Sequence, residues 1–196
     1  SSVLVSTVFT ESDPGASHVS MKSKSARKSG IPISVYPVSL GCPKNLVDLE
    51  VILGRLAEEG FIISEVVESA DIVIINTCSF IDDATEESLE VIREAIAMKE
   101  NGEVRAVVVC GCLPQKVGCR IASILPDVDG FVGVADRESV SSVIRKIVRR
   151  INRDKHSTKK PFCLVSSRWS SPEADCGRLR ITLPHYAYIK IAEGCS

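Results

Sequence analysis

Ala106-Val107-Val108-Val109-Cys110-Gly111-Cys112 is an apolar run closed by a glycine, and how it is read decides the fold. An unbroken row of β-branched residues, without polar alternation, is the pattern of a strand covered on both faces by helices. Such a strand belongs near the centre of a sheet. The flanking chain agrees. Residues 35–40, 61–67 and 71–75 are β-rich, and a helical pattern over 45–59 carries Leu46, Leu49, Leu53 and Leu56 on one face with Gly60 at its C-cap. A second pattern over 83–102 carries Leu89, Ile92, Ala95 and Ile96, and Asp83 with Glu86 three residues later has the form of a capping box. Beyond the apolar run, Pro114 suits the first turn of a helix reaching residue 125. Residues 128–134 read as a short strand, and Asp136 as the cap of a last helix bearing Val140, Val143, Ile144, Ile147 and Ile151. The order β-α-β-β-α-β-α-β-α predicts an α/β domain of three layers, with a mostly parallel sheet between flanking helices. Pro37 marks its strand as an edge strand or one with an irregular start.

At 196 residues and 44% hydrophobic content, the chain can bury one sizeable core with appendages. A formal charge of -1 argues against a general polyanion-binding surface, so no DNA partner is expected. Arg145, Lys146, Arg149 and Arg150 on the last helix read as a solvated face with favourable charge at a helix C-terminus; nucleic-acid contact is the alternative. No apolar stretch approaches the roughly 20 residues that span a bilayer, which predicts a soluble chain with no membrane partner. Residues 1–33, Ser-rich with Lys22, Lys24, Arg27 and Lys28, read as a disordered leader. A plastid or other organelle transit peptide is the alternative to a cytoplasmic location, against which Glu11 and Asp13 count, and Met21 can be a start codon. Residues 34–151 are then the folded domain and 152–184 a linker. Residues 185–196 begin another domain, with Tyr186-Ala187-Tyr188-Ile189-Lys190-Ile191 as its first strand.

Three of the eight cysteines share one kind of position: Cys42, Cys78 and Cys112 each stand where a strand pattern stops and a helix pattern starts. They lie 36 and 34 residues apart, so only folding can gather them. Ligands in open parallel sheets bind at the carboxyl ends of strands, and helix N-termini favour the thiolate. Eight cysteines without a secretory-type leader point to a reducing compartment and to metal or redox chemistry before a disulfide framework. Three dispersed thiols with no His-x-x-x-His suit an iron-sulfur cluster with one open iron better than structural zinc. Inert burial and catalytic thiol chemistry remain open on spacing alone. Cys110, inside a strand, and Cys119, in a helix, read as buried hydrophobes, and Cys163 and Cys176 receive no role. Asn45, Asn76 and Thr77 flank the trio and either bond to cluster sulfurs or order the loops. Pro43 and Pro114 fix loops, and His18, His156 and His185 read as linker or surface residues.

Four ordered motifs carry a resemblance. They are Ser39-Leu40-Gly41-Cys42-Pro43-Lys44-Asn45-Leu46-Val47-Asp48; Ile75-Asn76-Thr77-Cys78-Ser79-Phe80-Ile81 with Ala84 and Glu87-Ser88; Cys110-Gly111-Cys112-Leu113-Pro114-Gln115; and Leu183-Pro184-His185-Tyr186-Ala187-Tyr188-Ile189-Lys190-Ile191-Ala192-Glu193-Gly194-Cys195. Together they resemble the amino-terminal part of the radical-SAM methylthiotransferase family. The first and last motifs are closest to the RimO branch, which modifies an aspartate of a ribosomal small-subunit protein. They are less like the MiaB branch, which modifies a tRNA adenosine. Leu49 departs from the pattern, standing where serine is usual, and Cys110 is an additional cysteine.

The resemblance implies two 4Fe-4S clusters and S-adenosyl-L-methionine as cofactors. Cys42, Cys78 and Cys112 are the implied ligands of an auxiliary cluster, and Cys195 the first ligand of the radical-SAM cluster. No residue is assigned direct catalytic chemistry. In the family mechanism one S-adenosylmethionine methylates a sulfur held at the auxiliary cluster, and a second is cleaved to a radical that takes hydrogen from the substrate carbon. A radical suits a C–H bond too weakly acidic for a general base. The implied partner is the ribosomal small-subunit protein, with sulfur and electron donors unidentified, and the chain alone, ending at Ser196, is expected to be inactive. The alternatives are a tRNA methylthiotransferase, a non-catalytic electron-transfer module of flavodoxin-like type, and a structural zinc domain. Against flavin, Gly41-Cys42-Pro43-Lys44-Asn45 is no phosphate-binding loop.

Overall fold

The computed structural model describes residues 32–79, 81–153, 160–167, 177–182 and 185–191. Most of the expected leader, with His18, and also His156, Cys176 and Cys195, lie outside the described residues. The elements in chain order are β1 (Ser34–Ser39), α1 (Pro43–Glu58), β2 (Ile62–Ile63), β3 (Ile72–Thr77), α2 (Asp82–Glu100), β4 (Ala106–Gly111), α3 (Cys112–Val117), α4 (Ile121–Ile124), β5 (Gly130–Gly133), α5 (Val140–Arg153) and β6 (Phe162–Leu164). All strand pairs are parallel, in the order β2-β1-β3-β4-β5-β6. The three-layer α/β expectation is borne out, with the 106–110 run at the centre.

Alternation along the strands splits the core in two. Tyr36, Val38, Val73, Ile75, Val107, Val109 and Phe131 face α2, α3 and α4, where they meet Val91, Ile92, Ala95, Leu113 and Ile121. Val35, Ile72, Ile74, Ala106, Val108 and Val132 face α1 and α5, meeting Leu49, Leu53, Leu56, Ile144 and Ile147. Leu49, where the family pattern has serine, is fully buried in that second layer. Two helix-covered faces explain why β3 and β4 are apolar throughout.

Pro37 sits within β1 without breaking it. On the β2 side, the carbonyls of Ile33 and Val35 accept from Ile62 and Ser64, whereas on the β3 side Ser34 and Leu40 bond to Asp71 and Asn76. Residue 37 therefore turns its missing N–H toward β2, which has already ended at Ile63. β1 is thus not the edge strand expected from Pro37 but the second strand of the sheet, and the proline is tolerated because β2 ends before it. The Gly60 expectation holds: Gly60 N–H donates to Ala57 and Phe61 N–H to Leu56, a Schellman closure of α1.

Several expectations are corrected. The 61–67 strand shrinks to Ile62–Ile63, because β2 lies at the sheet edge with only β1 beside it. α2 starts one residue early behind Ile81, with no side-chain cap, so Asp82 and Asp83 serve the helix dipole rather than a capping box. The 114–125 helix breaks at Gly118 into α3, a 3-10 turn over Gly118–Arg120, and α4. Asp136 lies in a 3-10 segment and accepts from Ser166 N–H (2.6 Å) and Oγ (2.7 Å) instead of capping α5. Part of the expected linker forms β6, the sixth strand. Residues 186–191 are irregular, not strand, among the described residues.

The basic face of α5 is not simply solvated. Arg145 stacks on Phe61 and bonds to Glu59, while Arg150 stacks on Phe162 and pairs with Asp129. Among the described residues, no helix is long and apolar enough to cross a membrane.

Cys119 and Cys163 also depart from expectation. Cys119 is exposed in the 3-10 turn rather than buried in a helix, and it is disulfide-bonded to Cys163 of β6 across 44 residues of sequence. Closing a loop of that length contributes at most about 4 kcal/mol through the unfolded state. Cys163→Ser is expected to lower the unfolding free energy by about 2–4 kcal/mol in urea titration. A reductant should then shift the parent but not the variant.

Candidate metal centre at the carboxyl edge of the sheet

From β1 the chain steps to β2 on one side and then crosses to β3 on the other. That reversal between β1 and β3 is the topological switch point, where loops depart to opposite faces and leave a crevice. Cys42 is the N-cap residue of α1, Cys78 directly follows β3, and Cys112 opens α3 directly after β4. Since β1, β3 and β4 are neighbours, all three expected ligands stand along one stretch of the carboxyl edge. Cys42 is exposed, Cys112 half-buried and Cys78 buried.

Two glycines allow the loops to meet. Gly41 has φ +92°, and a Cβ there would stand 2.5 Å from Cys78 Cβ and 2.9 Å from its sulfur. The chain entering Cys42 thus passes directly against Cys78. Gly111 has φ +97°, and a Cβ there would lie 2.5 Å from Asn76 Oδ1 and 2.6 Å from the Thr77 carbonyl oxygen. Strand β4 turns at this glycine, which separates Cys110 from Cys112 as the sequence indicates.

Buried Asn45 ties the edge together. Its Nδ2 donates to the carbonyls of Leu40 and Thr77 (both 3.0 Å), and its Oδ1 accepts from the Cys112 thiol at 3.5 Å. Asn76 Nδ2 donates to the Asn45 carbonyl (2.6 Å), and Thr77 Oγ1 to the Cys110 carbonyl (2.7 Å). These side chains order the loops, and Asn45 also meets a ligand-candidate sulfur. Pro114 lies in the first turn of α3, as expected, whereas Pro43 opens α1, which starts two residues earlier than the 45–59 pattern indicates. Ser88 Oγ donates to the Cys78 carbonyl (3.0 Å), and Lys116 Nζ to the Ser79 carbonyl (3.0 Å). Sequence reasoning missed Lys116, because the turn of α3 that brings it there has no periodic signal.

Cys110 belongs to the core. It is 1% exposed, packs in the layer beneath α1 and α5, and its sulfur lies 3.6 Å from the Ile75 carbonyl oxygen. Burial pushes its thiol far up, and the Asp48 carboxylate adds to that push. The side chain therefore stays a neutral thiol. His185 is exposed beside Tyr186, as a surface residue.

Among the described residues, no three His, Cys, Asp or Glu side chains gather as ligands of a single metal ion.

Residues 34–133 match the family described as "Uncharacterized protein family UPF0004", and this chain belongs to it. Proteins named "Ribosomal protein uS12 methylthiotransferase RimO" are among its relatives. The one from Akkermansia muciniphila is 37% identical over 169 residues, covering 85% of this chain and 36% of the relative. Those from Syntrophus aciditrophicus and Geobacter sulfurreducens are each 42% identical, covering 83% of this chain and 35% and 34% of the relatives. The chain spans about a third of the length of these curated relatives. The resemblance of its motifs to the amino-terminal domain of the RimO branch is borne out.

Asn45→Ala leaves two buried carbonyls without their donor and should cost about 2–4 kcal/mol in urea unfolding. Asn45→Asp, similar in shape but with no N–H, should cost at least as much.

Proposed function

We propose that this chain is the cluster-binding part of a radical-SAM methylthiotransferase that modifies the β-carbon of an aspartate in ribosomal protein uS12, acting in the cytoplasm. The observation that carries the reading is the alignment of Cys42, Cys78 and Cys112 along the ends of three adjacent parallel strands at the switch point. The relatives' name supplies the substrate protein, and the resemblance to the RimO branch the aspartate.

The donor set fits a 4Fe-4S cluster. It is made of thiols alone, carried on the ends of adjacent strands, and thiolates are the usual ligands of such clusters. Cys42, Cys78 and Cys112 would hold the auxiliary cluster, and Cys195 would contribute the first ligand of the second. When bound, the auxiliary cluster supplies an iron without a protein ligand as the carrier of sulfur, and the second, with S-adenosylmethionine, supplies a hydrogen-abstracting radical.

This chain's residues prepare the edge for negative charge. Cys42 is the N-cap residue of α1 and Cys112 the first residue of α3, so both sulfurs are carried on the turns that open these helices. Lys116, bonded one residue from Cys78, adds a positive charge. Asn45 orients the Cys112 sulfur, and burial of Cys78 keeps water from that side. Cys110, packed among the apolar residues beneath α1 and α5, is left out of the ligand set.

Anaerobic reconstitution with iron and sulfide tests the assignment. The parent should gain the absorbance and Mössbauer signature of a 4Fe-4S cluster. Cys42→Ala, Cys78→Ala and Cys112→Ala should each lose most of it, and Cys110→Ala should retain it. Assembly of the parental cluster in all three variants would sink the ligand set. For the substrate, the full-length enzyme should add a methylthio mass to uS12; modification of tRNA with uS12 untouched overturns that part.

A further inference from the structure

The carboxylates of Asp48 and Glu50 on α1 are buried and meet residues of the stretches 177–182 and 185–191. Glu50, 0% exposed, accepts from Arg178 Nε (2.6 Å) and from the backbone N–H groups of Ile181 (2.8 Å) and Thr182 (3.3 Å). A second guanidinium nitrogen of Arg178 pairs with it, and the Glu50 carbonyl accepts from Leu179 N–H at 3.1 Å. Asp48 accepts from Lys190 Nζ at 2.7 and 2.9 Å, with Arg137 Nε at 3.7 Å. On the same helix a Cβ at Gly54 would stand 1.7 Å from the Gly177 carbonyl oxygen, so the segment crosses α1 where no side chain intervenes.

Apolar burial holds only one end of this segment, where Ile181 packs against the core layer beneath α1. Ile189 and Ile191, on either side of Lys190, are 84% and 93% exposed. A buried carboxylate is tolerated only with matched donors, and here the segment supplies donors to both, with Arg137 beside Asp48 as well. We infer that Asp48 and Glu50 are positioning residues that dock residues 177–182 and 185–191, the stretch that precedes Cys195 in sequence, on α1. Cys42 lies six residues before Asp48, and Cys195 four residues after Ile191. The contacts thus join the two segments that carry the cluster cysteines, and to that extent the inference rests on the function proposed above.

Hydrogen–deuterium exchange of the cluster-free 196-residue chain reads the docking directly. Glu50→Gln and Asp48→Asn, and from the segment side Arg178→Gln and Lys190→Gln, should speed exchange across 177–191 by about tenfold, with β3, β4 and α2 unchanged. Lys190→Arg, which keeps the charge, should restore protection. Unchanged exchange in the segment-side variants overturns the docking, as does faster exchange throughout the sheet in those same variants. In the full-length enzyme, these substitutions should leave iron per chain at the parent level and lower product per S-adenosylmethionine cleaved by about tenfold to a hundredfold. Unaltered coupling overturns the positioning role. A full-length parent that leaves uS12 unmodified overturns the proposed function instead, while the exchange result, obtained without clusters, still stands.

Discussion

The hydrogen-bond register of β3 with its two neighbours is the constraint from which the cysteine edge follows. Ser39 stands opposite Asn76, and Asn76 opposite Cys110, so β1, β3 and β4 end nearly level. Parallel strands that end level must release their loops at one edge, and the next residues there include Cys42, Cys78 and Cys112. The register is also held at the opposite end. Ser34 N–H and Oγ donate to Asp71 Oδ2 at 3.0 and 2.9 Å, while Asp71 N–H donates back to the Ser34 carbonyl at 2.8 Å. A one-residue slip of β1 would break this clamp and send Tyr36 and Val38 into the wrong layer.

At the carboxyl edge, polar side chains convert the register into a shaped site. Asn45, Asn76 and Thr77 each spend their donors on backbone carbonyls of a neighbouring loop, so the cysteine-bearing turns are bonded to one another. Such buried bonds contribute modestly when made and cost more when half-broken, which makes the edge stiff against single changes. Gly41 and Gly111 serve the same end sterically, since contacts of 2.5 Å leave no room for a Cβ. The same bonding extends through α1, whose N-cap is Cys42 and whose Asp48 and Glu50 accept from Lys190 and from Ile181 and Thr182.

Much of this was legible in the sequence, and the exceptions have physical causes. The strand-end cysteines, the central apolar strand, the Schellman closure at Gly60 and the turn at Gly111 each rest on local pattern. Cys119 was misread because its helix breaks at Gly118, one residue earlier, which turns it outward to Cys163. β6 escaped notice because Phe162–Leu164 is three residues long in a polar context, and only the open edge of β5 makes a strand of it. Buried acids such as Asp48 and Glu50 look like solvated helix charges until their partners, some 130 to 140 residues on, are in place.

By itself the sequence determined the layers, the parallel sheet and which cysteines lead from strands into helices, because periodicity and strand-end position are local properties of the chain. Only the tertiary structure decided that those cysteines lie on adjacent strands, that Cys110 stays a buried neutral thiol, that Cys119 pairs with Cys163, and that a supposed linker is bound to α1. Those outcomes depend on burial and on partners distant in sequence, and no local pattern encodes either.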